Sequence, residues 1–240
     1  DLIVTGVQTC ALPICHPGAF EIKRLEPEAL TAPDNGCDAA VTSAGDELTF
    51  GGDFTVVPYA LEPVLIAVPH DFGLERLTAA DLKRIYSGKI DNWKQLGLPD
   101  LPVVRAGVPP EAPGGRVFLN RIMGRKLLHP EPPKPGDEIL PGMIVYRQLP
   151  EAEALAAGTP GLILFGSWEL ADSSRLKIIA VDGVMPDKES IREGRYRPVL
   201  TRTAFCRSDS ALLPLIRQMP EIFTRRPDRI PDFLPPPAGK

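Results

Sequence analysis

Short runs of consecutive apolar residues recur along the chain, separated by mixed segments of helical character. The runs are DAAVT at 38–42, PVLIAV at 63–68, PVV at 102–104, GLILF at 161–165, LKIIAV at 176–181 and VLTRTAFC at 199–206. Their length and β-branched content predict strands buried on both faces, as in an α/β fold, rather than the alternating strands of an antiparallel sandwich.

Between the runs, the clearest helical pattern is LTAADLKRIYSGKI. Thr78 suits the N-cap, Asp81 stands three residues on where a capping carboxylate reaches back, and Leu77 with Leu82 fit a hydrophobic staple. Leu82, Ile85 and Tyr86 make one apolar face, and Gly88 is placed to end the helix. A second helix is expected after Gly114-Gly115, in RVFLNRIMG, with Phe118 and Ile122, and Leu119 and Met123, four residues apart. Arg116 would sit in its first turn, where the helix dipole disfavours a cation. A third is expected from a Ser208 cap in SDSALLPLIRQM, bending at Pro214.

The first fifteen residues, DLIVTGVQTCALPIC, change this picture. They hold no Lys or Arg, and Gly6, Gln8 and Pro13 interrupt the apolar run, so they make a poor signal peptide despite the lipobox-like LPIC. Val4 to Ile14 instead resembles a frame translation of a common short-read sequencing adapter. Residues 1–15 are therefore expected to be a non-native segment and to carry no part of the fold. Without Asp1 the formal charge moves from -4 to -3. The densest basic cluster is Arg225-Arg226, so a nucleic-acid partner is not expected. Setting Cys10 and Cys15 aside leaves Cys37 and Cys206, which fit either two buried thiols or one disulfide. No run approaches the roughly 18 apolar residues of a membrane span.

Proline, at 28 residues, is about twice ordinary usage. It gathers around residues 108–142, expected to be a surface excursion, and in the C-terminal tail. Catalytic chemistry finds little support: there is no H-E-x-x-H, G-x-S-x-G, Walker loop or G-x-G-x-x-G, and neither Cys37 nor Cys206 has metal-ligand spacing. His70 and His129 stand alone and His16 borders the adapter-like stretch, so no enzyme, metal or cofactor is expected. Trp93 and Trp168 read as packing residues.

At LTAADLKRIYSGKIDNWKQLG the chain resembles the phosphate-type solute-binding proteins of ABC importers. Leu77, Thr78, Leu82, Ile85, Tyr86, Gly88, Lys89, Ile90 and Trp93 follow that family's LT-x-x-x-L-x-x-I-(F/Y)-x-G-K-I-x-x-W pattern without a gap. CDAAVTSA resembles the first ligand-loop strand, YALEPVLIAVP the crossover strand, and VVRAGV the strand carrying an anion-binding arginine. TPGLILFG and IAVDGVMPDKESIREGRYRPV resemble later segments, in the same order. The resemblance implies an α/β, two-lobed type II periplasmic-binding-protein fold with mixed sheets flanked by helices. It implies one lobe at 70–180 and an incomplete one at 16–69 plus 181–240, the first strand and ligand loop being absent before residue 16.

The resemblance further implies a small inorganic anion, phosphate or phosphate-like, as ligand and an ABC permease as partner. A monomer in a periplasmic or extracellular location completes that expectation. Arg105 corresponds to the anion-binding arginine, and Thr42 and Ser43 end a strand where hydroxyls can donate; a salt bridge and ordinary turn residues are the alternatives. Pro113-Gly114-Gly115 stands where the family has Ser-Gly-Thr. Both hydroxyls are gone and Pro113 has no N–H, which leaves the amides of Gly114 and Gly115 at a helix start, with Arg116 as a second cation or a solvated side chain. Each unmet bond to phosphate costs roughly 1–3 kcal/mol. The expected function is thus oxyanion capture for import; the alternative is a degenerate binding module used for sensing, without tight phosphate binding.

Overall fold

A computed structural model describes residues 2–4, 22–23, 39–42, 53–110, 112–125 and 140–221. The strands in chain order are β1 (Leu2–Val4), β2 (Ile22–Lys23), β3 (Ala39–Thr42), β4 (Phe54–Pro63), β5 (Leu65–Pro69) and β6 (Arg76–Leu77). They continue with β7 (Val104–Gly107), β8 (Ile144–Val145), β9 (Leu162–Gly166), β10 (Leu176–Ile178), β11 (Ala180–Val181) and β12 (Val199–Arg207). The α-helices are α1 (Ala79–Tyr86), α2 (Pro113–Val117), α3 (Leu149–Gly158), α4 (Lys188–Arg192) and α5 (Leu213–Arg217). The α2 helix runs on into a π-helical turn, Phe118–Ile122, and 3-10 turns form at Trp93–Leu96 and Trp168–Asp172. The chain divides into two compact units, Asp1–Glu62 with Leu200–Lys240, and Pro63–Val199.

The first unit is a mixed sheet in the order β2-β1-β3-β12-β4. Here the sequence expectation is corrected: a strand does stand before residue 16. Leu2 and Ile3, ahead of the adapter-like stretch, together with Val4, run parallel to both β2 and β3. Three consecutive β-favouring residues, Leu2, Ile3 and Val4, suit a strand flanked on both sides. β12 is antiparallel to β3, with Thr203 opposite Thr42 and Cys206 opposite Ala39. Val57, Tyr59, Ala204 and Cys206 form a core with Leu213, Ile216 and Met219. Cys206 is a buried thiol; Cys37 lies outside the described residues.

At one end of this sheet Glu62 and Arg202 form a buried ion pair. The guanidinium donates from Nε at 2.8 Å and Nη2 at 2.7 Å, both to Oε2 of Glu62. Burial disfavours the arginine cation, but the carboxylate beside it and a hydrogen bond with Tyr59 outweigh this and hold its pKa above the ordinary value.

The third expected helix is also corrected. The Ser208 hydroxyl donates to Asp53 at 2.9 Å instead of capping a helix, and α5 begins only at Leu213. Pro214 then falls in the first turn, where no intrahelical N–H is needed and no bend follows.

The second unit is built on the sheet β10-β5-β9-β7-β8. β7 and β9 are parallel, pairing Val104 with Leu162 through Gly107 with Phe165, while β5 runs antiparallel to β9 and β10. Strand β7 starts two residues later than the PVV run predicts. Pro102 has no N–H to give a ladder and makes only an isolated bridge to Asn92. The LKIIAV run splits at Ile179, whose N–H donates to Ile66, so that β10 joins β5 and β11 joins β6. Helices α3 and α4 were not predicted from the sequence pattern.

Helix α1 forms as the sequence predicts. Thr78 Oγ1 accepts from the Asp81 N–H at 3.0 Å and donates to the Asp81 carboxylate at 2.7 Å. Leu82, Ile85 and Tyr86 are fully buried, and Gly88 ends the turn at φ +75°. A second cap comes from far along the chain: the Ala79 N–H donates to Asp182 Oδ1 at 2.9 Å. Asp182 itself has a left-handed backbone, φ +51°, which aspartate and asparagine tolerate better than alanine. Asp182→Ala is therefore expected to cost about 1–2 kcal/mol in urea unfolding, and Asp182→Asn less than half of that. Trp93 is fully buried, and its indole N–H donates to the Gly161 carbonyl at 2.9 Å, fixing the GKI-x-x-W segment to the entry of β9.

Candidate functional site

The C-terminal ends of the parallel strands β7 and β9 are the natural place to look, since open α/β sheets present ligands beyond the carboxyl ends of their strands. An aromatic stack shapes this end of the sheet. Phe118 and Phe165 lie face to face at 3.9 Å between centroids, and Tyr86 meets both edge-on. Gly107 has to be glycine here, because a Cβ would stand 2.4 Å from the Phe165 ring. The Tyr86 hydroxyl donates to the carbonyls of Ala106 at 2.9 Å and Ile163 at 3.3 Å, tying β7 to β9. Its pKa is pushed well up, first by burial and then by Tyr146, with Arg105 opposing. It is a neutral hydrogen-bond donor, not an acid or base.

Helix α2 opens against these strand ends. It begins at Pro113, with extended Ala112 as N-cap, so Gly114 and Gly115 belong to its first turn and do not precede it. Proline at the first position has a φ suited to the helix and lacks an N–H that would be unsatisfied anyway. Among the described residues the first intrahelical bond is Arg116 N–H to Ala112 O at 2.9 Å, and the Gly114 and Gly115 amides stand in the turn ahead of it. Neither glycine could carry a side chain freely. A Cβ on Gly115 would stand 2.1 Å from the Pro109 carbonyl oxygen, and one on Gly114 would stand 3.3 Å from Val108 and 3.8 Å from the Ser167 nitrogen. Arg116 is half-buried on this turn.

The structure thus brings Gly114 together with Gly166-Ser167, the exit of β9, while Gly115 packs on the Pro109-Pro110 backbone. Ser167 precedes the 3-10 turn Trp168–Asp172, and its side chain makes no cap bond there. Sequence reasoning passed over it; its signal was a hydroxyl residue two positions after the GLILF run, directly after β9.

Arg105 is placed elsewhere. Its Nη1 donates to the Ile85 carbonyl at 3.1 Å, at the end of α1. Cβ atoms built on Gly88 and Gly142 would stand 3.6 and 3.5 Å from its guanidinium nitrogens. Its Nε is buried without a partner. Among the described residues it makes no hydrogen bond to Gly114 or Gly115. Thr42 ends β3 in the other unit, and Ser43 lies outside the described residues. Among the described residues no cluster of His, Cys, Asp or Glu can hold a metal, and no helix is long and apolar enough to cross a membrane. His70 is exposed beside Asp71; His16 and His129 lie outside the described residues.

Comparison with known proteins gives the family and the fold. The family model described as PBP superfamily domain matches residues 28–176. The phosphate-binding protein PstS of Bacillus subtilis (strain 168) is 25% identical over 130 residues, which is 54% of this chain and 39% of that relative. The chain therefore matches well under half the length of this curated relative. Among solved structures, an ABC-type phosphate transport receptor from Vibrio cholerae superposes with a TM-score of 0.78 at 18% identity, covering 98% of this chain and 100% of that one. PstS from Borrelia burgdorferi gives 0.72 at 16%, covering 99% and 100%. These likenesses show the fold expected from the sequence, mixed α/β throughout.

Proposed function

Because the chain belongs to the PBP superfamily domain family, we propose that it is an extracytoplasmic solute-binding protein that captures phosphate, or a closely similar oxyanion, and delivers it to a membrane permease for ABC-type import. It acts as a monomer and carries out no chemistry on its ligand. The names of its relatives support this reading. The observation that carries it in this chain is the first turn of α2, where Gly114 lies against Val108, just past β7, and the Gly166-Ser167 exit of β9, with Gly115 next to it in the turn. Aligned amides at a helix start favour an anion by both hydrogen bonding and the helix dipole.

In this reading the Ser167 hydroxyl replaces one of the donors missing from Pro113-Gly114-Gly115. Arg105 serves chiefly at the end of α1. Thermal unfolding tests this. Phosphate at a hundredfold excess over its dissociation constant stabilises the folded protein by about 2.7 kcal/mol, which raises Tm by about 5–10 °C in a chain of this size. Ser167→Ala is expected to weaken phosphate about tenfold or less, one neutral bond's worth, and Arg105→Ala to keep most of the shift. An unmoved Tm with phosphate, sulfate and arsenate alike would overturn the oxyanion reading. Loss of the shift in Arg105→Ala alone would return the arginine to the ligand.

A further inference from the structure

The helix that carries Gly114 and Gly115 does not end as an α-helix. Its second half is the π-helical turn Phe118–Ile122, closed by Met123 N–H to Phe118 O at 3.1 Å. In regular α-geometry residue 121 would share a face with Val117 and Phe118, both fully buried. Arg121 instead stands exposed, and its Nε donates to the Val199 carbonyl at 3.3 Å, 78 residues away. Isolated π-turns inside helices recur at functional positions.

Val199 is the last residue of its unit, where the chain enters β12 and passes to the other. The neighbouring residues there are held as well: Val64 N–H donates to Pro198 O at 2.8 Å, and the Tyr196 hydroxyl donates to Val64 O at 2.6 Å. Both passages between units, at 62–63 and at 199–200, are therefore knit together within the second unit. Arg121 joins this knot to the helix that carries Gly114 and Gly115.

We infer that Arg121 is a positioning residue: it fastens the Val199 passage to helix α2, so that an anion seated at Gly114 and Gly115 is felt at the start of β12. The inference rests on the oxyanion reading above for its ligand, although the fastening itself is a property of the ligand-free protein. The effect of Arg121 on affinity is indirect, through the Val199 passage.

Hydrogen exchange followed by mass spectrometry, on the whole chain, separates the two ideas. In ligand-free protein, Arg121→Met is expected to raise exchange in the 196–203 peptide about fivefold, with Arg121→Lys intermediate and Tm little changed. Adding inorganic phosphate to wild type should slow exchange in both the 113–125 and 196–203 peptides. In Arg121→Met it should slow only the first, and phosphate affinity should fall about fivefold, within the range of indirect couplings. Ligand-free exchange identical in wild type and Arg121→Met would overturn the inference, as would equal slowing of both peptides by phosphate in the variant. If wild type does not bind phosphate, the functional reading fails while the ligand-free comparison still decides the fastening.

Discussion

Arg202→Ala is expected to lower the unfolding free energy by about 3–5 kcal/mol, the largest single effect foreseen in the first unit. The cause is the charge left behind. Glu62 and Arg202 are 8% and 6% exposed, and removing the guanidinium strands a carboxylate in a site with little water. Glu62→Ala should be comparably costly, since it leaves the buried arginine without its carboxylate. The double replacement Glu62→Leu with Arg202→Met should lie within about 1 kcal/mol of wild type or above it, because two buried charges cost desolvation that apolar side chains of similar volume avoid. Urea unfolding of the four proteins closes the cycle. A loss below about 1 kcal/mol in both single variants would show that the pair is solvated and contributes no more than a surface bridge.

The second large effect lies in the aromatic stack under the site. Phe165→Ala is expected to cost about 3–5 kcal/mol, the usual range for emptying a buried aromatic site. It removes the partner of Phe118 and the edge contact with Tyr86 together. Gly107→Ala should also destabilise, by about 1–3 kcal/mol, since its methyl would meet the Phe165 ring at 2.4–2.8 Å. The two positions share one volume. Gly107→Ala combined with Phe165→Leu should therefore be more stable than the sum of the single changes predicts, by at least about 1 kcal/mol. Strict additivity would mean that the ring moves aside freely and that Gly107 is not constrained by it. Because the stack supports the opening of α2, phosphate affinity is expected to fall in Phe165→Ala even at temperatures where the protein remains folded.

The reach of the sequence can be judged from these residues. Thr78, Leu82, Ile85, Tyr86 and Gly88 were legible because cap, face and stop are local chemistry, spaced by the helix itself. Trp93 was legible as packing, although its acceptor, the Gly161 carbonyl, was not. Glu62 and Arg202 are 140 residues apart, and only the placement of β4 and β12 in one sheet makes them partners. Arg105 was correctly set in a strand, but a side chain as long as arginine can turn toward either end of it. Here the Ile85 carbonyl, at the close of α1, receives it. Gly114 and Gly115 read as a loop before a helix because glycine is a poor helix former. Their place inside the first turn follows from Pro113, whose preference for that position was the stronger signal.

The division of the chain bears on how the protein is made. The second unit is contiguous, Pro63–Val199, whereas the first is assembled from Asp1–Glu62 and Leu200–Lys240. During synthesis the contiguous unit has all its residues as soon as Val199 has left the ribosome. The earlier segment must wait for β12, which lies between β3 and β4, before its sheet can close. Until then β3 and β4 each lack a neighbour, and an open strand edge is a template for association with other chains. The first sheet can close only once β12 is available, and until then the edges of β3 and β4 stay open to association with other chains.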